Sequence, residues 1–176
     1  DESHMALPIP TTRYVAGIPI QEFQMLPYPY FIDVRESGLS SNNVITNSLN
    51  QITVNWASPI KISSSSENIK HNVIVRSSPK SWLSTNENLM PEYENYPNYG
   101  FPEDGEKGSY PLAVSFEGTF NSITTDETFL KEDLENKFDS DLYLNKSPSN
   151  SKLVVISSNE FANNLSIDFA SQAINS

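Results

Sequence analysis

Gln24–Phe31 reads Gln-Met-Leu-Pro-Tyr-Pro-Tyr-Phe, and it restricts the fold more than any other stretch of the chain. Prolines at 27 and 29 rule out a helix and remove two backbone donors from any sheet ladder. The segment must therefore be extended or polyproline-like. It also carries Met25, Leu26, Tyr28, Tyr30 and Phe31 in a sequence otherwise rich in Asn and Ser. An apolar segment that cannot complete its own hydrogen bonds needs a clamp. The reading favoured here is that the rest of the domain supplies it, rather than Tyr28 and Tyr30 serving as a polyproline-type ligand for a partner's groove.

The surrounding strands follow from alternation and β-branched content. Tyr14–Ile20 reads as strand pieces interrupted by Gly17 and Pro19. Gln51–Ile62 begins as a half-buried strand, with Ile52, Val54 and Trp56 on one face. Asn72–Ser78 is a second strand, and Pro111–Phe120 a third with Leu112, Val114 and Phe116 aligned. Gly118 is expected at a bulge or a close backbone approach. Lys152–Ser157 is an unbroken apolar run of the kind buried on both faces. Trp56, Phe116 and Phe120 are expected in the core.

Helical expectations are fewer. Val44–Leu49 and Ser81–Leu83 each read as a single turn. Thr125–Lys137 has an acidic start and apolar spacing for a short helix. Ser158 and Asn159 form an N-cap, with Phe161, Leu165, Phe169 and Ala173 recurring every four residues behind it. A buried strand running into a helix predicts an α/β fold, a mixed sheet with flanking helices and long loops.

The longest irregular stretch, 86–111, carries Tyr93, Tyr96, Tyr99 and Tyr110 together with Phe101. Tyrosine gives large contact area at low entropic cost, so these five are the candidate partner-binding residues. The competing reading folds the loop back over the sheet.

Composition excludes several functions. Hydrophobic residues are 37% and charged residues 19% of the chain, both below the globular average. The net charge of -11, with 11 basic residues scattered singly, argues against nucleic acid and anionic membrane surfaces. With no cysteine, the chain has no disulfide, zinc-thiolate site or Cys nucleophile. No apolar run approaches the ~20 residues of a membrane-spanning helix, so any membrane attachment is expected outside this sequence. Asp1–Met5 (DESHM) looks like an expression scar and is set aside, leaving 6–176 as one domain.

Catalytic chemistry is not legible. Apart from His4, His71 is the only histidine, and it stands at a strand entry away from any nucleophile elbow. Six dispersed glycines make no phosphate loop, so no cofactor is expected. Asp139-Ser140-Asp141 and Glu103–Glu106 lack calcium-loop spacing and read as solvated acidic loops. Asn145-Lys146-Ser147 and Asn164-Leu165-Ser166 match the glycosylation pattern but are discounted. The chain is expected not to be an enzyme.

Gln24–Phe31, Asn47–Ile60, Pro111–Ser122 and Ser151–Asn163 together resemble, in order, the markers of the gliding-motility-type (GldG-like) ABC-transporter auxiliary family. That resemblance implies a bacterial, non-catalytic, extracytoplasmic binding or scaffolding domain at the cell membrane. Its partners would be ABC-transporter permease and ATPase subunits or envelope proteins. It also implies the C-terminal half of a Rossmann-like or glutamine-amidotransferase-like domain, so that 6–176 would be an excised fragment. The alternative reading is a carbohydrate-binding or carbohydrate-processing module. It calls for two facing carboxylates in an aromatic-lined cleft.

Overall fold

The computed structural model describes residues 1, 3–63, 68–122 and 145–162. Eight strands organise them: β1 (His4–Val15), β2 (Ile18–Arg35), β3 (Gln51–Asn55), β4 (Ile69–Arg76), β5 (Ser81–Trp82), β6 (Lys107–Gly108), β7 (Pro111–Gly118) and β8 (Ser151–Ile156). Three sheets result, ordered β1-β2-β3, β4-β7-β8 and β5-β6. The pairings β1–β2, β2–β3 and β5–β6 are antiparallel.

The first hairpin turns at Ala16-Gly17, both with positive φ (51° and 82°), the backbone of a two-residue hairpin turn whose twist matches its strands. Opposed residues then run in unbroken register from Val15↔Ile18 to Ala6↔Pro27. There the register shifts, and His4 is opposed to Ile32. The β1 ladder therefore skips Tyr28–Phe31. From Phe31 onward β2 pairs on its other edge with β3, Phe31 opposite Asn55 and Arg35 opposite Gln51.

The chain divides into two compact units. The larger comprises Asp1–Lys61, Val73–Ala113 and Ile156–Ser176. Its core is Ile32, Val34, Val54, Ile74, Val75, Leu112 and Ala113, with Leu39, Ile52, Ala57 and Ile156 packed against them. Alternation puts Ile32 and Val34 inside and leaves Asp33 to the opposite face of β2. The smaller unit comprises Ile62–Asn72 and Val114–Val155. In it Val114 is fully buried. A Cβ on Gly118, whose φ is 153°, would collide with the carbonyl oxygen of Asn68. The close approach expected at this glycine is present.

The α/β expectation with flanking helices is overturned: the regular structure of the described residues is almost entirely β. Nothing of a Rossmann-like or amidotransferase-like helix layer is found among them. Their helical elements are two 3-10 turns, Glu36–Gly38 and Asn159–Ala162. The second stands where the C-terminal helix was expected to begin. The rest of that helix and Thr125–Lys137 lie outside the described residues. Ser81-Trp82 is not a helical turn but pairs with Lys107-Gly108, a partner far along the chain that local pattern cannot reveal. Nor is Lys152–Ser157 buried on both faces, since Leu153, Val154 and Val155 are 47%, 40% and 37% exposed. Apolar runs report β-branched content, and burial depends on what the fold lays over them. Asn43–Leu49 does form turns, closed by Asn47 N–H donating to the carbonyl of Asn43 at 2.9 Å.

Gly118→Ala should destabilise the protein by about 2 kcal/mol or more, because positive-φ strain and a backbone clash coincide. Urea denaturation of the variant beside the parent checks it.

Candidate functional site

The bulge at Tyr28–Phe31 is the centre from which the site is built. Donors from elsewhere in the larger unit bond carbonyls within this segment and just before it. The Tyr93 hydroxyl donates to Pro27 O at 2.6 Å. The α-amino nitrogen of Asp1 donates to Pro29 O at 2.8 Å. The Trp56 N–H donates to Tyr30 O at 2.8 Å. The segment is thus clamped by its own domain, and Tyr28 is only 5% exposed.

Aromatic rings complete the clamp. Tyr28 meets Phe31 edge-on at 4.8 Å, and Phe101 packs against both Tyr30 (4.9 Å) and Tyr28 (5.8 Å). Phe31 meets Trp56 at 5.1 Å. Edge-to-face pairs at such separations add to the burial of apolar area. The Tyr28 hydroxyl donates to Leu89 O at 3.1 Å and accepts from Trp56 Nε1 at 3.3 Å. Tyr30 donates to Ser84 Oγ at 3.0 Å.

Against this cluster lies a cavity of about 290 Å³, lined chiefly by Pro29, Tyr30, Trp56, Trp82, Leu89 and Phe101. Trp56, expected in the core, is instead 42% exposed on the cavity wall. Its φ is 47°, a left-handed conformation costly for a bulky side chain. That kink ends β3 and turns the indole away from the Ile52–Val54 face. Nothing in the alternation of Gln51–Ile62 could have announced it. The lining carries one carboxylate, that of Asp1, so the facing pair required for carbohydrate processing is not in this cavity.

The five candidate partner-binding residues divide. Phe101 is buried within the clamp. Tyr93 is half-buried through its bond to Pro27. Tyr99 lies between His4 and Trp82, at 5.5 and 5.6 Å. Tyr110 donates to the carbonyl of Glu106 at 2.7 Å. Tyr96 alone of the five is classed as exposed, at 37%. The loop does fold back onto β2. His71 is exposed and lies 6.3 Å from the Phe116 ring, and Phe116 and Phe120 are each half-buried. Glu103 pairs with Lys107 at 3.4 Å, and Asp139 and Asp141 lie outside the described residues. No group of acidic or histidine side chains able to hold a metal occurs among the described residues.

One surface escaped the sequence reading. Beyond Thr11 every residue of the β1–β2 hairpin is exposed as far as Met25. Opposed residues share a face, which puts Tyr14, Phe23 and Met25 on one side and Val15, Ile18 and Ile20 on the other. Their exposures run from 42% to 73%. At about 3.3 Å per residue the ten opposed pairs make an arm roughly 30 Å long. The sequence signal was the pair of strand pieces broken by Gly17 and Pro19 in Tyr14–Ile20, but no local pattern says that both faces stay open.

Comparison with protein families gives a match over residues 4–175 to the ABC-transport auxiliary family described as "ABC-type uncharacterized transport system". The chain belongs to that family. No curated protein and no solved structure matches it. Membership supports the transport association expected from the four ordered motifs and accords with a non-catalytic role. It does not extend to the gliding-motility subtype.

Burial, with the nearby Tyr28 hydroxyl second, raises the Tyr93 hydroxyl above its ordinary value of 10.0. The unfolded chain therefore loses this proton first, and stability falls as pH rises past about 10. Tyr93→Phe should cost about 1 kcal/mol near neutrality and flatten the alkaline loss. Denaturant midpoints between about pH 8 and pH 11 read both effects.

Proposed function

We propose that this domain is a non-catalytic recognition element of an ABC-type transport system, and that the β1–β2 arm is its docking device. The supporting observation is the exposed apolar surface on both faces of that arm. An isolated two-stranded hairpin is marginally stable in water, and one apolar on both sides gains most from being surrounded. It therefore suits insertion into a cleft better than lying on a flat surface. The arm is also nearly free of charge. Between Ala6 and Pro27 it carries only Arg13 and Glu22, which pair with each other at 3.5 Å, whereas the chain as a whole has a net charge of -11. The partner we assign is a membrane permease subunit of the transport system, with an apolar cleft open to the solvent side. Exposed Tyr96, on the loop beside the clamp, would extend the contact.

Two finer assignments go with this reading. The ordered markers at 24–31, 47–60, 111–122 and 151–163 favour the gliding-motility type. The same resemblance favours an extracytoplasmic position. No helix among the described residues is long and apolar enough to cross a membrane.

Tyr14→Ser/Phe23→Ser should weaken co-purification with the permease and ATPase subunits by tenfold or more, equivalent to about 1.4 kcal/mol or more. Because both side chains are exposed, stability should change by no more than about 0.5 kcal/mol per site. Unchanged co-purification would refute docking through the arm. Position is read separately, and the absence of cysteine makes it simple. Asn88→Cys, on the exposed loop, should react in whole cells with a membrane-impermeant maleimide. Labelling only after lysis would place the domain on the cytoplasmic side.

A further inference from the structure

A second cavity of about 140 Å³ in the larger unit differs in chemistry from the aromatic one. Its lining includes Asp33, Arg35, Ser37, Arg76, Ser78 and Ser109. Asp33 stands on β2 between the core residues Ile32 and Val34, pointing to the other face, and its side chain is 7% exposed. Carboxylate oxygen Oδ2 accepts from Arg35 Nε at 2.8 Å. Oδ1 is buried and has no hydrogen-bond partner. A buried acceptor left in this state costs about 1–3 kcal/mol, more for a charged group.

Three serines of the wall do not relieve it, because their hydroxyl protons are committed elsewhere. Ser109 Oγ donates to Ser77 O at 2.8 Å, and Ser78 Oγ donates to the Asp1 carboxylate. Ser3 Oγ, also on the wall, donates to the carbonyl of Asp33 at 2.8 Å rather than to its side chain. At the mouth, the Arg35 side chain is 64% exposed and offers its remaining guanidinium donors. Arg76 is exposed and forms no ion pair among the described residues.

These groups specify a bifunctional ligand. A bare anion drawn by the arginines would face the Asp33 carboxylate. A bare cation drawn by Asp33 would face two guanidinium groups. A molecule with an N–H donor beside an anionic group answers both demands at once. At roughly 30 Å³ per water the cavity has room for four or five water-sized volumes, which limits the ligand to a few heavy atoms.

We propose that this pocket binds the amino-carboxylate group of a small free amino acid, its ammonium on Asp33 Oδ1 and its carboxylate on Arg76 and Arg35. The site is separate from the arm and does not depend on the docking role assigned to it. A transport-associated domain would thereby report the presence of a small zwitterion.

The test is titration of the full chain with glycine, L-alanine and L-serine, followed by calorimetry and by amide chemical shifts. Sodium acetate and methylammonium chloride serve as the two half-ligands. Glycine should bind at least about tenfold more tightly than either half. Arg76→Gln and Asp33→Asn should each lower that affinity about tenfold or more. Arg76 is exposed, so its variant keeps the test valid should loss of the Asp33 charge disturb folding. Acetate binding as tightly as glycine would overturn the proposal in favour of a plain anion site on the arginines. Absence of any response up to about 10 mM would overturn it in favour of a hydrated pocket. Glycine binding unaffected by Arg76→Gln would equally refute the assigned contacts.

Discussion

The exit of Tyr28–Phe31 from the β1 ladder is the constraint on which the larger unit depends. A register shift at that point takes four residues out of pairing with β1. What replaces the ladder is a set of donors gathered from distant parts of the chain: Tyr93 on Pro27, Asp1 on Pro29 and Trp56 on Tyr30. Each bond ties a different segment to β2. The Tyr93 bond brings in the long loop, and the Trp56 bond sets the kink that ends β3. Tyr28 then links Leu89 to the Trp56 indole through its hydroxyl. Proline made the ladder unattractive at this place, and the aromatic rings made an alternative packing strong enough to replace it.

That arrangement separates two kinds of surface. Around the clamp, apolar groups are inward and the remaining space is an aromatic cavity beside Trp56. Farther along the same hairpin, apolar groups of similar size stand open on both faces of the arm. One strand, β2, thus runs from exposed Ile18 and Phe23 through buried Tyr28 to core Ile32 and Val34. Asp33, set between those core residues, shows the alternation of that strand directly, and it gives the polar pocket its unpartnered oxygen. The proposed docking arm and the proposed ligand pocket can coexist because they use opposite ends of a single long strand.

Legibility in the sequence followed the range of the forces involved. Alternation located β3 and β7, β-branched content located β4, and the glycine in the third strand was correctly marked as a site of close approach. The four ordered motifs pointed to the transport family that residues 4–175 match. Errors arose where a remote partner decides. Ser81-Trp82 became a strand because Lys107-Gly108 lies beside it. Trp56 left its expected face because a left-handed kink follows the alternating run. The α/β expectation fails because it rests on a buried strand running into a helix, and Leu153, Val154 and Val155 prove substantially exposed.

By itself the sequence determined that Gln24–Phe31 is extended and must be held by something, that the chain is acidic and without cysteine, and that its motifs are those of a transport-associated family. These follow from steric limits on proline, from charge counting and from local pattern, none of which needs a third dimension. Tertiary structure alone decided that the clamp is internal, that Tyr93, Tyr99 and Phe101 pack inward from the long loop, and that the exposed apolar surface lies on the β1–β2 arm. It also decided that Asp33 is buried with one oxygen unpartnered. Each of those outcomes depends on which distant groups meet, and a hydrogen bond or a ring contact between residues sixty positions apart leaves no periodic trace in the chain.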